Sequence, residues 1–235
     1  TVCTSEDWKY THNYMHHTYT NVLGRDHDIG YGAMRMTREQ PWEPRFLFNV
    51  PIALVLSTGF QWLLSLQRFE LEKVIRGEKK MKDVFAQSGN WRKKAFRQFF
   101  KDYVFFPALA GPMFLSVLAG NAVANLIRNY WSSFVIYCGH FTSDAEMIED
   151  KVDTETRADW YLREIRGSSN FTGGNIVHFL SGNLSHQIEH HLFPTMPASR
   201  YREVAPKIKA LCAEYGQHYN QASFIRQILS VFWRL

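Results

Sequence analysis

Two short stretches concentrate the residues with the richest chemistry. Residues 185–197 read SHQIEHHLFPTMP, and residues 12–17 read HNYMHH. Both carry the pattern HxxxHH, as His12, His16 and His17 and again as His186, His190 and His191. On a helix, residues three and four apart stack on one face. A helix over 185–191, ending before Pro194, would place His186 under His190 and Gln187 beside His190 and His191. Imidazoles one turn apart have the geometry to chelate a metal. Two such clusters, separated by long apolar runs, imply one shared centre with more than one metal ion. Neutral imidazole suits iron, copper and zinc, and a ligand set of mostly nitrogen is compatible with non-haem iron.

The neighbours of these clusters divide into supporting and bystander residues. Asp26 and Asp28 flank His27 in GRDHDIGYG; they either accept imidazole N–H groups from outside the ligand set or only shape the turn. His27 reads as an exposed loop histidine. Glu189 is rotated off the His190 face, so it is either an acceptor that orients an imidazole or a solvated residue. His178 lies two helical turns before His186 and is read as packing near the centre or supporting it. Asn183, four before Gln187, is positioned to hydrogen-bond near the metals, and His218 belongs at the surface. His186 to His190 also matches HxxEH, the inverted zinc-peptidase order, with Glu189 as base and Glu203 or Glu214 as third ligand. That reading leaves HNYMHH unexplained. Cys3, Cys138 and Cys212 form no CxxC pair, which argues against a zinc ribbon or a disulfide framework.

These clusters must be positioned by apolar segments. Residues 46–66 carry no charge and have the length to span a bilayer. Residues 103–127 form a second uncharged run, and 129–143 continue it after Arg128. Trp62, Tyr103 and Tyr130 near the run ends favour a membrane over a soluble core. The mean hydropathy of −0.29 averages very unequal segments. Residues 68–101 hold eleven Lys/Arg against four Asp/Glu, with aromatics interleaved in WRKKAFRQFFKDYVFF, as in a helix lying among lipid head groups. The net charge of +5 suits anionic lipid or an acidic redox partner, and no nucleic-acid module accompanies it. From 144 onward the chain is polar and helical by pattern. Val204, Ile208, Leu211 and Tyr215 mark one helix face, with Gly216 at its stop.

HNYMHHTYTN and SGNLSHQIEHHLFP resemble the second and third histidine boxes of membrane fatty acid desaturases, and GRDHDIGYG and YCGHF are also similar to that family. The nearest likeness is to actinobacterial stearoyl-CoA-type desaturases, and it covers essentially the whole chain. The resemblance implies an all-α integral membrane protein with a cytosolic helical cap carrying a histidine-rich di-metal site. It implies two non-haem ferrous ions held by His12, His16, His17, His140, Gln187, His190 and His191, with His186 as an extra or substitute ligand. Gln187 stands where many relatives carry a histidine. Crowded histidines fit the chemistry: removing hydrogen from an unactivated methylene needs a strongly oxidising centre, beside which thiolates would be at risk. The implied reaction puts a double bond into an acyl-CoA or acyl-lipid chain with O2 and two electrons. A ferredoxin, cytochrome b5 or similar carrier, fed by an NAD(P)H reductase, would supply them. The rival outcomes are a di-iron lipid hydroxylase and a membrane protein that only binds metal.

The family's first box, HxxxH, has no match here. Residues 1–235 are therefore expected to be a partial desaturase domain that lacks this box and the first two membrane helices. One outward and one returning span would bring all ligands to the cytosolic face, but would leave basic 68–101 on the far side, against the positive-inside tendency. In the alternative, Pro51 breaks 46–66 and residues 103–143 form a tight hairpin.

Overall fold

A computed structural model describes residues 2–150 and 152–235, with Glu72 by its backbone alone. They fall into two compact units: the chain up to residue 12 with 54–131, and 13–53 with 132–235. Both are built almost wholly of helices, as the sequence leads one to expect.

In the first unit, α1 (Ser5–Trp8) is capped by Thr4, whose hydroxyl accepts the Asp7 N–H at 3.1 Å. It continues directly into a π-helical stretch, Lys9–His16, whose residues from Asn13 on belong to the second unit. Helices α2 (Asn49–Thr58) and α3 (Phe60–Leu63) cover the first apolar run. The basic segment forms α4 (Leu71–Ile75), α5 (Met81–Gln87) and α6 (Gly89–Phe100). On α6, Phe96 and Phe99 stand exposed among Arg92, Lys93 and Arg97, while Ala95 is buried. Helix α7 (Phe106–Leu109) leads to the long α8 (Phe114–His140).

The apolar runs are not the uninterrupted spans expected from their composition. Pro44–Thr58 and Phe60–Phe69 meet at 84°, and the break falls at Gly59 rather than at Pro51. Pro51 sits in the first turn of α2, where proline is tolerated. The run 103–127 reverses at Gly111, whose φ of +55° favours a residue without Cβ. Across that turn Asn121 Nδ2 donates to the Asp102 carbonyl at 2.6 Å, and Asn125 Nδ2 to the Tyr103 hydroxyl at 2.9 Å. Helix α8 then passes straight through Arg128. No single helix among the described residues is long and apolar enough to cross a membrane; only the bent pair meets that test together, by length and composition.

The second unit adds α9 (Arg157–Arg166), α10 (Asn175–Leu180), α11 (Gln187–Leu192), α12 (Tyr201–Glu214) and α13 (Phe224–Arg234). Strands β1 (Asn170–Thr172) and β2 (Gln221–Ser223) pair in parallel between them. Helix α12 stops where the sequence predicts. Gly216 has φ +62°, the Gln217 N–H reaches the Cys212 carbonyl at 2.8 Å, and the Gly216 N–H reaches that of Ala213. Its packed face, however, is Tyr201, Ala205 and Cys212, while Leu211 and Tyr215 are exposed. Tyr201 sets this rotation, because its hydroxyl is bonded to His190.

Asn21 ties these elements together. It is fully buried at φ +56°, a conformation Asn accepts more readily than most residues. Its side-chain amide donates to the carbonyls of Gly167 (2.8 Å), Glu146 (3.0 Å) and His140 (3.3 Å). One side chain thus joins the first histidine segment to the ends of α8 and α9. Replacing Asn21 with Ala leaves buried carbonyls unsatisfied and should cost about 2–3 kcal/mol. Thermal unfolding of the variant beside the parent reads this as a lower midpoint; an unchanged midpoint would contradict the role.

Candidate metal centre

Three elements of the second unit deliver histidines to one buried point. The end of the Lys9–His16 stretch supplies His16 and its neighbour His17, the last residue of α8 is His140, and α11 supplies His190 and His191. One ring nitrogen from each of His16, His140 and His191 lies within 4.8 Å of the other two, and all three residues are buried. The Nε2 atoms of His140 and His191 are 3.1 Å apart. His17 stacks on His191 at 4.5 Å between ring centroids and meets His190 edge-on at 4.6 Å.

The outward-facing nitrogens have partners that fix which lone pairs point inward. His16 Nδ1 lies 3.0 Å from Asp26 Oδ2. That carboxylate is oriented by the backbone N–H groups of Asn21 and Asp28, each at 2.9 Å. Asp28 Oδ2 adds a second contact to His16 at 3.4 Å. His191 Nδ1 is 3.0 Å from Glu164 Oε2 and 3.1 Å from Thr20 Oγ1, and His190 Nδ1 is 3.0 Å from the Tyr201 hydroxyl. With the shared protons on Nδ1, the Nε2 lone pairs of His16 and His191 face the common point. A metal-binding histidine commonly bonds a carboxylate with its other nitrogen in this way.

Electrostatics follow the same division. Burial opposes charge on His16, but Asp26 and Asp28 outweigh it and raise its pKa to about 9. His17 is held down to about 2 by burial and by the neighbouring His16 and His190. His190 is lowered to about 4, mainly by burial. Burial raises Glu164 to about 8, against the pull of Arg163, whose Nη1 is 3.0 Å away. The donor set fits a cation: His17 and His190 offer neutral nitrogen, and a metal would take the place of the second proton that Asp26 and Asp28 hold on His16. Gln187 adds an amide at the same point, with Nε2 2.9 Å from His140 Nε2 and a buried Oε1 that has no hydrogen-bond partner. Rotating that amide by half a turn would present its oxygen instead.

The structure corrects the expected register of the second cluster. Helix α11 begins at Gln187, and His186 has φ −107° and ψ 61°, outside the helix. Its ring consequently stacks on His178 at 5.3 Å instead of lying under His190, and neither residue joins the central group. His178 Nδ1 is bonded to the Ser185 hydroxyl at 2.7 Å. Glu189 is not solvated. It is fully buried and accepts from Asn170 Nδ2 and the Tyr219 hydroxyl, both at 2.8 Å. Asn183 forms the turn before α11 at φ +63°, and its carbonyl accepts the His186 N–H. His218 is exposed. His12 belongs to the first unit, where its ring stacks on Trp8 at 4.2 Å. The sequence reading missed Glu164 and Tyr201. Neither has a local signal: Glu164 lies 27 residues from His191, and Tyr201 looks like an ordinary core aromatic.

Gly139 explains the space for Gln187, because a Cβ there would lie 2.9 Å from Gln187 Cγ and 3.0 Å from Cδ. Gly139→Val should therefore lower metal content by about tenfold or more while the helical fold persists, and Asp26→Asn and Glu164→Gln should each weaken metal affinity about 10–100-fold. Chelator competition with metal analysis checks all three. Full affinity in the Asp26 and Glu164 variants would show that these carboxylates do not support the site.

Comparison with known proteins agrees with this geometry. The fatty acid desaturase family model matches residues 2–223. The chain is 44% identical over 95% of its length to an NADPH-dependent stearoyl-CoA 9-desaturase of Mycobacterium tuberculosis, covering 53% of that protein. It is 31% identical over 91% of its length to an sn-1 linoleoyl-lipid 6-desaturase of Synechocystis, covering 61% of it. Fatty acid desaturase 3 of Bos taurus is 27% identical over 95% of the chain and 48% of its own length. The chain thus spans about half the length of the curated relatives it matches, and no solved structure matches it. Matched over nearly its whole length, with histidine groups able to hold metal at its centre, the chain belongs to the fatty acid desaturase family.

Proposed function

We propose that this chain carries the catalytic core of an O2-dependent acyl desaturase, with two iron ions held by His12, His16, His17, His140, Gln187, His190 and His191. The observation that carries the proposal is the convergence of His16, His140, His191 and the Gln187 amide on a buried point, with His17 and His190 packed beside it and Asp26, Glu164 and Tyr201 behind the rings. The preferred substrate class is a long-chain acyl thioester, since the stearoyl-CoA desaturase is more similar to this chain than the lipid-linked one. The reaction balances as follows: a –CH2–CH2– unit loses two hydrogens, and O2 takes four electrons and leaves as two waters. Two electrons come from the broken C–H bonds and two from an NAD(P)H reductase, directly or through a ferredoxin- or cytochrome b5-like carrier. Bound iron supplies the O2 activation that an unactivated C–H bond requires.

The chain's own residues hold and shield that chemistry. Asp26 and Glu164 keep the rings of His16 and His191 in one orientation. The buried cluster excludes bulk water, which limits unproductive loss of reducing equivalents. The peptidase reading loses its base, because Glu189 is held by Asn170 and Tyr219. Membrane placement is part of the proposal: the bent pair Pro44–Thr58 and Phe60–Phe69 enters the bilayer, and the metal centre faces the cytosol.

The test is expression of the full-length protein in a host of defined lipid profile, with stearoyl substrate and mass analysis of the acyl chains. A product two hydrogens lighter, dependent on O2 and reductant and lost in His191→Ala, is expected. A gain of one oxygen would make the protein a hydroxylase, and metal content without either product would make it a metal binder.

A further inference from the structure

Helix α13 turns its most apolar stripe away from the protein. Ile225, Leu229 and Trp233, four residues apart, are 66%, 64% and 85% exposed. Residues at that spacing lie on one helix face. The opposite face is fully engaged. Gln227 is buried and its Nε2 donates to the Asn170 carbonyl at 2.9 Å, Val231 is buried, and Ser230 bonds the Ser143 N–H just beyond α8. The helix holds two arginines and no acid. A contiguous exposed apolar stripe on a folded domain marks a surface that something covers.

Its surroundings indicate what covers it. Trp233 opens onto a cavity of about 780 Å³ that is also lined by Trp42 and Phe46, which lie where the chain enters the apolar Pro44–Thr58 segment. Leu47 and Phe48 are exposed at the same entrance. The cavity is lined by the exposed Arg38 and Glu39 and by Asp144, a mix of charges that matches the phosphate and ammonium of a zwitterionic lipid head group. Tryptophans with arginines at the edge of an apolar face are the pattern of the membrane–water interface.

We infer that the outer face of α13 lies in the head-group layer of a phospholipid leaflet, with Ile225, Leu229 and Trp233 in the acyl boundary and the Trp42–Trp233 cavity against the head groups. This rests on the membrane placement proposed for the Pro44–Thr58 segment. It gives α13 two roles. Its inner face holds Asn170, which anchors Glu189 and the Ile188 N–H of α11, and its outer face fixes the depth of that assembly against the lipid.

The experiment uses the full-length protein in phosphatidylcholine nanodiscs. Cys3, Cys138 and Cys212 are buried, and with any cysteine outside residues 1–235 replaced by serine, a cysteine introduced at Leu229 is the site that takes a nitroxide label. Parallel labels go at Val55, an exposed residue of α2, and at Glu214, an exposed residue of α12. Collision rates with O2 and with a water-soluble nickel chelate then read each environment. At Leu229 the ratio of O2 to nickel collisions should exceed that at Glu214 by about tenfold, as for a side chain in the acyl boundary. A water-like ratio at Leu229 with a lipid-like ratio at Val55 overturns the inference and leaves the membrane placement standing. Low collision with both probes at Leu229 also overturns it, because protein would then cover the face. Water-like ratios at both Val55 and Leu229 overturn the membrane placement and the inference with it.

Discussion

The second unit depends on packing five imidazoles against one another, four of them buried. Unpaired polar groups are costly in a protein interior, and rings packed 4.5 to 5 Å apart cannot all be charged. Most of these rings must therefore be neutral, with an outward nitrogen bonded and a lone pair directed inward wherever a carboxylate or hydroxyl is in reach. Asp26, Glu164, Thr20 and Tyr201 meet the first requirement for His16, His191 and His190. A shared cation would meet the second. Ligands and fold are thus one constraint: the same hydrogen bonds that make burial tolerable also aim the donors.

The constraint spreads outward through single side chains with several bonds. Asn21 fixes three carbonyls and, through its own N–H, the orientation of Asp26. Asn170 fixes Glu189 and the Ile188 N–H, and so the start of α11. Arg163 is buried between Glu155 and Glu164 and also donates to the Thr18 and Thr20 carbonyls just past the first histidine segment. Networks of this kind specify one arrangement when every member is satisfied. Cutting any of these links should loosen metal binding before it unfolds the chain.

What the sequence disclosed follows from what is local. The HxxxHH repeats, the lone His140, Gln187 on the His190 face, the helix stop at Gly216 and the all-helical class could all be read from spacing, turn chemistry or family likeness. Asp26 and Asp28 were legible as candidates because they flank His27 in the GRDHDIGYG run, which resembles the family. Glu164 and Tyr201 were not, since a long-range partner has no period. The start of α11 at Gln187, two places later than expected, moved His186 off its face, because the Asn183 turn and the Asn170 bond to the Ile188 N–H determine where that helix begins. The apolar runs misled in a similar way. Absence of charge sets composition, but Gly59 and Gly111 decide continuity.

The most direct test of the central claim is X-ray absorption at the iron edge of the iron-loaded full-length protein. The account predicts a first shell of nitrogen and oxygen at about 2 Å, with the outer-shell scattering of several imidazoles and no sulfur. It also predicts loss of much of that imidazole signal in His16→Ala. A sulfur neighbour, or an imidazole signal unchanged in His16→Ala, would contradict it.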